Sequence, residues 1–193
     1  MNLSIIVPSK NEPKIGSFVF EIEHYFPNAQ IIICNDRYGN GKGWAVRMAL
    51  AEATGDVICF IDGDGDINPS MINRLLPFLP SYDIIVGRKI IRGKLIRKLV
   101  TFWARIYVRI FFGLNFETQC GLKVFKKEAI PEWKDDGFMF DLEVLTKAKD
   151  AGFKIVEVPV EVTPYGATSK SIRTKNVFRC FLASLRILLD RIF

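Results

Sequence analysis

Short apolar runs of strand length alternate with stretches of helix length along most of this chain. Residues 4–7, 30–34, 56–61 and 82–86 read as strands, and 15–26, 44–53 and 69–79 as helices, the last with a proline in its first turn. A basic helix over 95–112, a strand near 122–125, a helix near 139–150 and a strand at 154–162 follow. Repeated β-α-β units imply a largely parallel sheet with helices on both faces. The expectation is therefore one α/β, Rossmann-like domain over residues 1–175, with an amphipathic helix over 176–193. A chain of 193 residues is long enough to bury roughly 70% of the surface its unfolded form exposes.

Ligands in such sheets bind beyond the carboxyl ends of the strands. Here those ends are polar: Pro8-Ser9-Lys10-Asn11-Glu12, Asn35-Asp36-Arg37 and Asp62-Gly63-Asp64-Gly65-Asp66. Three carboxylates at alternate positions repel one another unless a cation lies between them. Mg²⁺ is commonly held by one or two carboxylates together with substrate phosphates. An EF-hand calcium loop would need glycine at its sixth position and glutamate at its twelfth; Ile67 and Asn73 stand there. Asp62, Asp64 and Asp66 are therefore the candidate ligands for Mg²⁺ or Mn²⁺.

Gly39-Asn40-Gly41-Lys42-Gly43 opens a helix. A helix N-terminus beside a lysine attracts phosphate, although the glycine spacing is not that of a Walker A loop and no Ser or Thr follows Lys42. No G-x-S-x-G, H-E-x-x-H or Cys/His pair is present, so nucleophilic hydrolase and zinc chemistry have no candidates. Cys34, Cys59, Cys120 and Cys180 are too far apart for a zinc or redox pair. Cys34 and Cys59 read as small buried hydrophobes of a protein in a reducing compartment. His24 stands alone.

The net charge of +6 is unevenly spread. Residues 88–109 and 170–193 together carry +13, which leaves −7 on the remainder. In both segments the basic residues share amphipathic helices with bulky apolar ones. Lys98, Thr101, Arg105 and Arg109 form one stripe; Phe178, Phe181, Leu182, Leu185, Leu188, Leu189 and Ile192 form another, opposite Arg179, Arg186 and Asp190. Such helices suit an anionic membrane surface, with Phe178, Phe181, Leu185 and Leu188 expected at the acyl boundary. No nucleic-acid partner is expected. No stretch reaches the roughly 18 apolar residues of a spanning helix, and no basic n-region precedes the first strand, so no secretory leader is expected.

Taken in order, the motifs resemble glycosyltransferase family 2, of the GT-A fold, and within it the dolichyl-phosphate glucosyltransferases and mannose synthases. Ile5-Ile6-Val7-Pro8-Ser9-Lys10-Asn11-Glu12 is similar to the family's V-P-x-x-N-E turn, and Gly41-Lys42-Gly43-Trp44-Ala45-Val46-Arg47 to its G-K-G-x-A-x-R. Asp62-Gly63-Asp64-Gly65 resembles its D-x-D metal motif, and Glu117-Thr118-Gln119-Cys120-Gly121-Leu122-Lys123-Val124-Phe125 the glucosyl branch's D-T-Q-C-G-F-K-L-F. Phe140-Asp141-Leu142-Glu143, Glu157-Val158-Pro159-Val160 and Ser169-Lys170 complete the series. There are two departures. A helix and strand that usually precede G-K-G are missing, so Asp36 is either the family's base-contacting aspartate or a loop acid. Glu117 replaces the usual aspartate.

The resemblance implies an inverting, metal-dependent enzyme that moves one glucose or mannose from a UDP- or GDP-hexose to a polyprenyl or dolichyl phosphate. It implies donor contacts at Pro8, Asn11, Glu12, Asp36, Lys42 and Asp62. It implies acceptor-phosphate contacts at Arg88, Arg97, Thr101, Gln119, Ser169 and Lys170, and roles at the reacting centre for Asp64, Asp141 and Glu143. The absence of Q-x-x-R-W, the mark of processive synthases, favours a single addition. A peripheral position on the cytoplasmic face of a membrane is expected, with room for a separate anchoring subunit. The alternatives are a non-lipid acceptor in the same family, or a non-catalytic basic membrane module, which leaves the acid cluster unexplained. Nucleotidyltransferases are disfavoured, because they want a glycine-rich, arginine-bearing loop after the first strand.

Overall fold

A computed structural model describes residues 1–90, 95–162 and 174–192. Six strands form one sheet: β1 (Leu3–Ser9), β2 (Gln30–Asn35), β3 (Val57–Ile61), β4 (Ile84–Lys89), β5 (Leu122–Lys126) and β6 (Ile155–Val160), in the order β2-β1-β3-β5-β4-β6. β1 runs parallel to β2 and β3, and β4 parallel to β6, while β5 is antiparallel to both its neighbours. The reversal of β5 brings its N-terminal end to the edge where the other strands finish. That is why Gly121 meets Asp62: the Asp62 N–H donates to the Gly121 carbonyl at 2.9 Å.

The apolar residues of each strand divide between two cores. Ile6, Ile58, Phe60, Ile84, Val86 and Phe125 face one side; Ile5, Val7, Cys59, Ile61, Ile85 and Val124 face the other. Each fully buried Ile contributes about 1.5–3 kcal/mol. The first core is covered by α2 (Lys42–Glu52), α4 (Leu95–Phe112), α5 (Phe140–Asp150) and α6 (Thr174–Ile192). The second is covered by α1 (Ile15–Tyr25), which buries Phe18 and Ile22 at helical spacing, and by the short α3 (Ile72–Leu75).

Three expectations change. The helix read over 69–79 is a 3₁₀ turn, α3 and a second 3₁₀ turn containing Pro77. Proline lacks the N–H and clashes with the carbonyl one turn back. Cys34 is only half-buried, because β2 is a sheet edge. Finally, part of the apolar face read for the C-terminal helix is internal. Ile187 is buried in the first core, Leu188 packs against it instead of lying free, and the Ser184 Oγ meets the Tyr107 hydroxyl at 2.9 Å. Phe181, Leu182 and Leu189 remain exposed on α6, and Phe102, Trp103, Ile110 and Phe111 on α4. Among the described residues no helix is long and apolar enough to cross a membrane.

Candidate active site

A cavity of about 590 Å³ opens at the C-terminal strand edge, within the size range of small-molecule sites. Pro8 and Ser9 from β1, Asp62 and Asp64 after β3, and Lys42 from α2 form its floor; Arg179 and Cys180 of α6 close one wall. Of the expected donor residues, Pro8, Glu12, Asp36, Lys42 and Asp62 line it. Asn11 stands beside it in the left-handed conformation (φ 53°), its N–H donating to Asn35 Oδ1 at 3.3 Å. Ser9 lines the cavity floor, but its hydroxyl is buried, the one buried side-chain polar atom without a partner among the described residues.

The glycine-rich segment works differently from the sequence expectation. The Asp36 carboxylate is buried and accepts the N–H groups of Asn40 and Gly41, each at 2.8 Å. Burial pushes its carboxyl up, but the N–H groups of Gly41, Asn40 and Gly39 and the charge of Lys10 outweigh this and hold it low. Asp36 therefore anchors the loop while also lining the cavity. The N-terminus of α2 is also occupied: Gly43 N–H donates to the Gly137 carbonyl at 3.1 Å and Trp44 N–H to that of Asp136 at 3.2 Å. Gly41 and Gly43 are glycines because a Cβ at either would run into the backbone of 135–136. What this segment offers a phosphate is the Lys42 ammonium, not the helix end.

That ammonium lies 2.8 Å from Asp62 Oδ1, 3.4 Å from Asp141 Oδ2 and 5.5 Å from the Phe140 ring centre. Burial alone would lower its affinity for a proton; the charges of Asp141 and Asp62 more than reverse this. Behind it, Asp141 Oδ1 receives the ammonium of Lys123 at 2.7 Å. Asp141, expected at the reacting centre, does not line the cavity, and meets it only through Lys42. Glu143, expected near the sugar or acceptor, lies elsewhere. Its carboxylate accepts the N–H groups of Lys134 and Asp135 at 3.0 and 2.9 Å and pairs with Lys147 at 2.7 Å. It holds the 134–135 loop from behind the wall. Both acids occupy the first turn of α5, where the helix dipole favours negative charge.

Asp66 turns away from the other two acids to Lys89, at 3.3 Å, while its N–H caps Asp64 Oδ1 at 3.0 Å. The expected three-carboxylate shell is thus not assembled, and among the described residues no group of three His, Cys, Asp or Glu converges for a metal. Asp62 and Asp64 still suit a hard divalent cation that also takes phosphate oxygens. Desolvation and the charge of Asp62 both push the Asp64 carboxyl up, a repulsion that a cation would relieve.

Of the residues expected at an acceptor phosphate, Arg88 meets Glu157 Oε2 through its Nε at 3.1 Å, and Arg105 shares the same carboxylate at 3.3 Å. Glu157 also accepts the Glu117 N–H at 2.6 Å, and Glu117 accepts the Lys89 N–H at 3.2 Å. Gln119 is exposed in the turn that precedes β5. The side chains of Arg97 and Thr101, and all of Ser169 and Lys170, lie outside the described residues. Lys89, Lys123, Asp135 and the α6 wall were missed by sequence reasoning. Lys123 carried one signal, a lysine between apolar residues of a core strand.

Residues 19–120 match the family model described as glycosyl transferase family 2. The chain is 28% identical over 165 residues to dolichyl-phosphate beta-glucosyltransferase ALG5C of Trichomonas vaginalis, covering 76% of this chain and 49% of that protein. It is 30% identical over 142 residues to glycosyltransferase AglD of Haloferax volcanii, covering 66% of this chain and 22% of that protein. The chain thus spans half or less of these relatives. The Mycobacterium tuberculosis glucosyl-3-phosphoglycerate synthase, crystallised with Mn²⁺, UDP-glucose and phosphoglyceric acid, superposes with a TM-score of 0.72 at 16% identity, covering 98% of this chain and 79% of that one. This likeness establishes the GT-A fold.

Proposed function

Because the chain belongs to glycosyl transferase family 2, we propose that it transfers one hexose, glucose or mannose, from a UDP- or GDP-sugar to a polyprenyl phosphate at the cytoplasmic surface of a membrane. One observation carries this reading. The helix that walls the cavity through Arg179 and Cys180 also exposes Phe181 and Leu182 beside it, and the Phe181 ring meets Tyr107 of α4, which also meets the exposed Phe111. A polar site for a nucleotide sugar thus adjoins apolar surface suited to a lipid.

The donor lies over Pro8, Ser9 and Lys42. Asp62 and Asp64 are the residues to hold Mg²⁺ or Mn²⁺, which when bound offsets charge on the departing nucleoside diphosphate. Lys42 adds a fixed positive charge at the same place. The acceptor phosphate has a second pKa near 6, so it is already mostly ionised at neutral pH and needs no strong base. Its oxygen forms the new bond to the anomeric carbon as the bond to the diphosphate breaks, and the electron pair leaves with the diphosphate. Such direct attack inverts the anomeric centre. Arg88, beside Arg105, positions the acceptor phosphate after exchanging its bond to Glu157. The exposed faces of α4 and α6, with Arg109 and Arg186, dock on anionic lipid.

The test is a screen of UDP- and GDP-hexoses with short-chain polyprenyl phosphates, scored for lipid-linked sugar. Product from one donor, lost in chelator, supports the reading. Donor turnover with a soluble acceptor but none with any polyprenyl phosphate overturns the lipid assignment.

A further inference from the structure

Lys123, the second residue of β5, is 1% exposed, a place where a lysine persists only if its charge is matched. Its Nζ is held by the Cys120 carbonyl at 2.5 Å and by Asp141 Oδ1 at 2.7 Å. The other oxygen of Asp141 faces Lys42 at 3.4 Å, and Lys42 reaches Asp62 at 2.8 Å. The four groups form one line of alternating charge, from the interior of the sheet to the cavity floor. Its two ends differ in kind. Lys123 and Asp141 are sealed off, whereas Lys42 and Asp62 line the cavity.

A lysine ammonium on its four-carbon stem is mobile unless fixed. Asp141 could fix Lys42 only if its own carboxylate were prevented from turning, and Lys123 supplies that restraint. With the N-terminus of α2 closed by the 136–137 carbonyls, Lys42 is the cation this segment presents to a diphosphate. We infer that Lys123 is a positioning residue: acting through Asp141, it holds the Lys42 ammonium at the cavity floor, where Lys42 binds the diphosphate of the nucleotide independently of any metal. The inference rests on the nucleotide-sugar reading and deepens it.

The experiment measures UDP and GDP binding to the full chain by calorimetry, in excess chelator and again with Mn²⁺. It compares wild type, Lys42→Met, Lys123→Met and the double variant. Lys42→Met should weaken chelator-resistant binding roughly tenfold or more, the usual worth of a charge-assisted contact. Lys123→Met should weaken it several-fold alone and not at all in the Lys42→Met background, since one acts through the other. A purely structural Lys123 would lower the thermal midpoint without this non-additivity. Additive losses, or unchanged binding in Lys123→Met, overturn the inference. If Lys123→Met does not fold, Asp141→Asn, of equal shape, takes its place in the cycle with the same expected pattern. Binding that wild type shows only with Mn²⁺ overturns the inference and leaves the donor reading standing. No nucleotide binding under either condition removes both.

Discussion

Gly121→Ala tests the floor of the cavity without altering any charged residue. A Cβ at position 121 would lie 2.5 Å from Asp62 Cγ and 3.0 Å from its Cβ. The backbones cannot separate without breaking the 2.9 Å bond from Asp62 N–H to the Gly121 carbonyl, so the Asp62 side chain must rotate. Leaving its rotamer costs about 0.5–1.5 kcal/mol. Losing the 2.8 Å contact with Lys42 costs about 1 kcal/mol more, the lower part of the charged range because both groups keep some solvent. Alanine returns about 0.4–1 kcal/mol by restricting the unfolded chain. The net loss is about 0.5–2 kcal/mol, a fall in Tm of roughly 1–8 °C for a domain of this size. Nucleotide affinity in Mn²⁺ should fall roughly tenfold, because the displaced carboxylate is one of two suited to hold the ion. Gly16→Ala is the control. Nothing lies within 4 Å of a Cβ there, so it should leave binding alone and stabilise α1 by about 1 kcal/mol. Scanning calorimetry and nucleotide titration read both effects. If Gly121→Ala matches wild type in Tm and affinity, Asp62 does not occupy the place from which the site has been argued.

Asp64→Asn should abolish sugar transfer while leaving Tm unchanged or slightly higher, since it removes repulsion from Asp62; retained turnover refutes the metal-holding role. Asp83 accepts from Lys126 Nζ at 2.7 Å and from the Lys154 N–H at 2.9 Å, and these contacts, Lys126 foremost, hold its carboxyl below the usual range. A depressed pKa stabilises above the unfolded value of about 3.9 and is lost as pH falls through the folded one. Asp83→Asn should thus cost about 1–2 kcal/mol at pH 7 and progressively less in acid, as urea titrations across pH would show. Trp103→Ser with Ile110→Ser, at residues 64% and 69% exposed, should leave Tm intact and weaken sedimentation with anionic vesicles. Unchanged sedimentation moves docking to another surface. Truncation after 175 is the poorer test, because it strips Ile187 from the core and should destabilise the fold.

How far the sequence reached depended on the range of the forces involved. The strands were legible because consecutive apolar residues have only one comfortable place, a sheet covered on both faces. The position of Asp62 and Asp64 was legible because like charges after a buried strand imply a strand-end site. Asp141 and Glu143 were legible as a pair of acids opening a helix, but not in their duties. Two residues apart on α5, they point to different partners: Asp141 toward Lys123 on the sheet, Glu143 toward the amides of 134–135. Only the docking of α5 against β5 decides which faces which. The same holds for Asp36, whose partners Asn40 and Gly41 were near in sequence but silent without the loop's path. Interior charges show the limit most clearly. An apolar side chain needs only to leave water, and any core satisfies it; a buried Lys123 needs Asp141 at hydrogen-bond distance, and Asp141 then needs Lys42. Each requirement is specific, so one ammonium in β5 fixes the placement of a helix, an acid and the cation at the cavity floor.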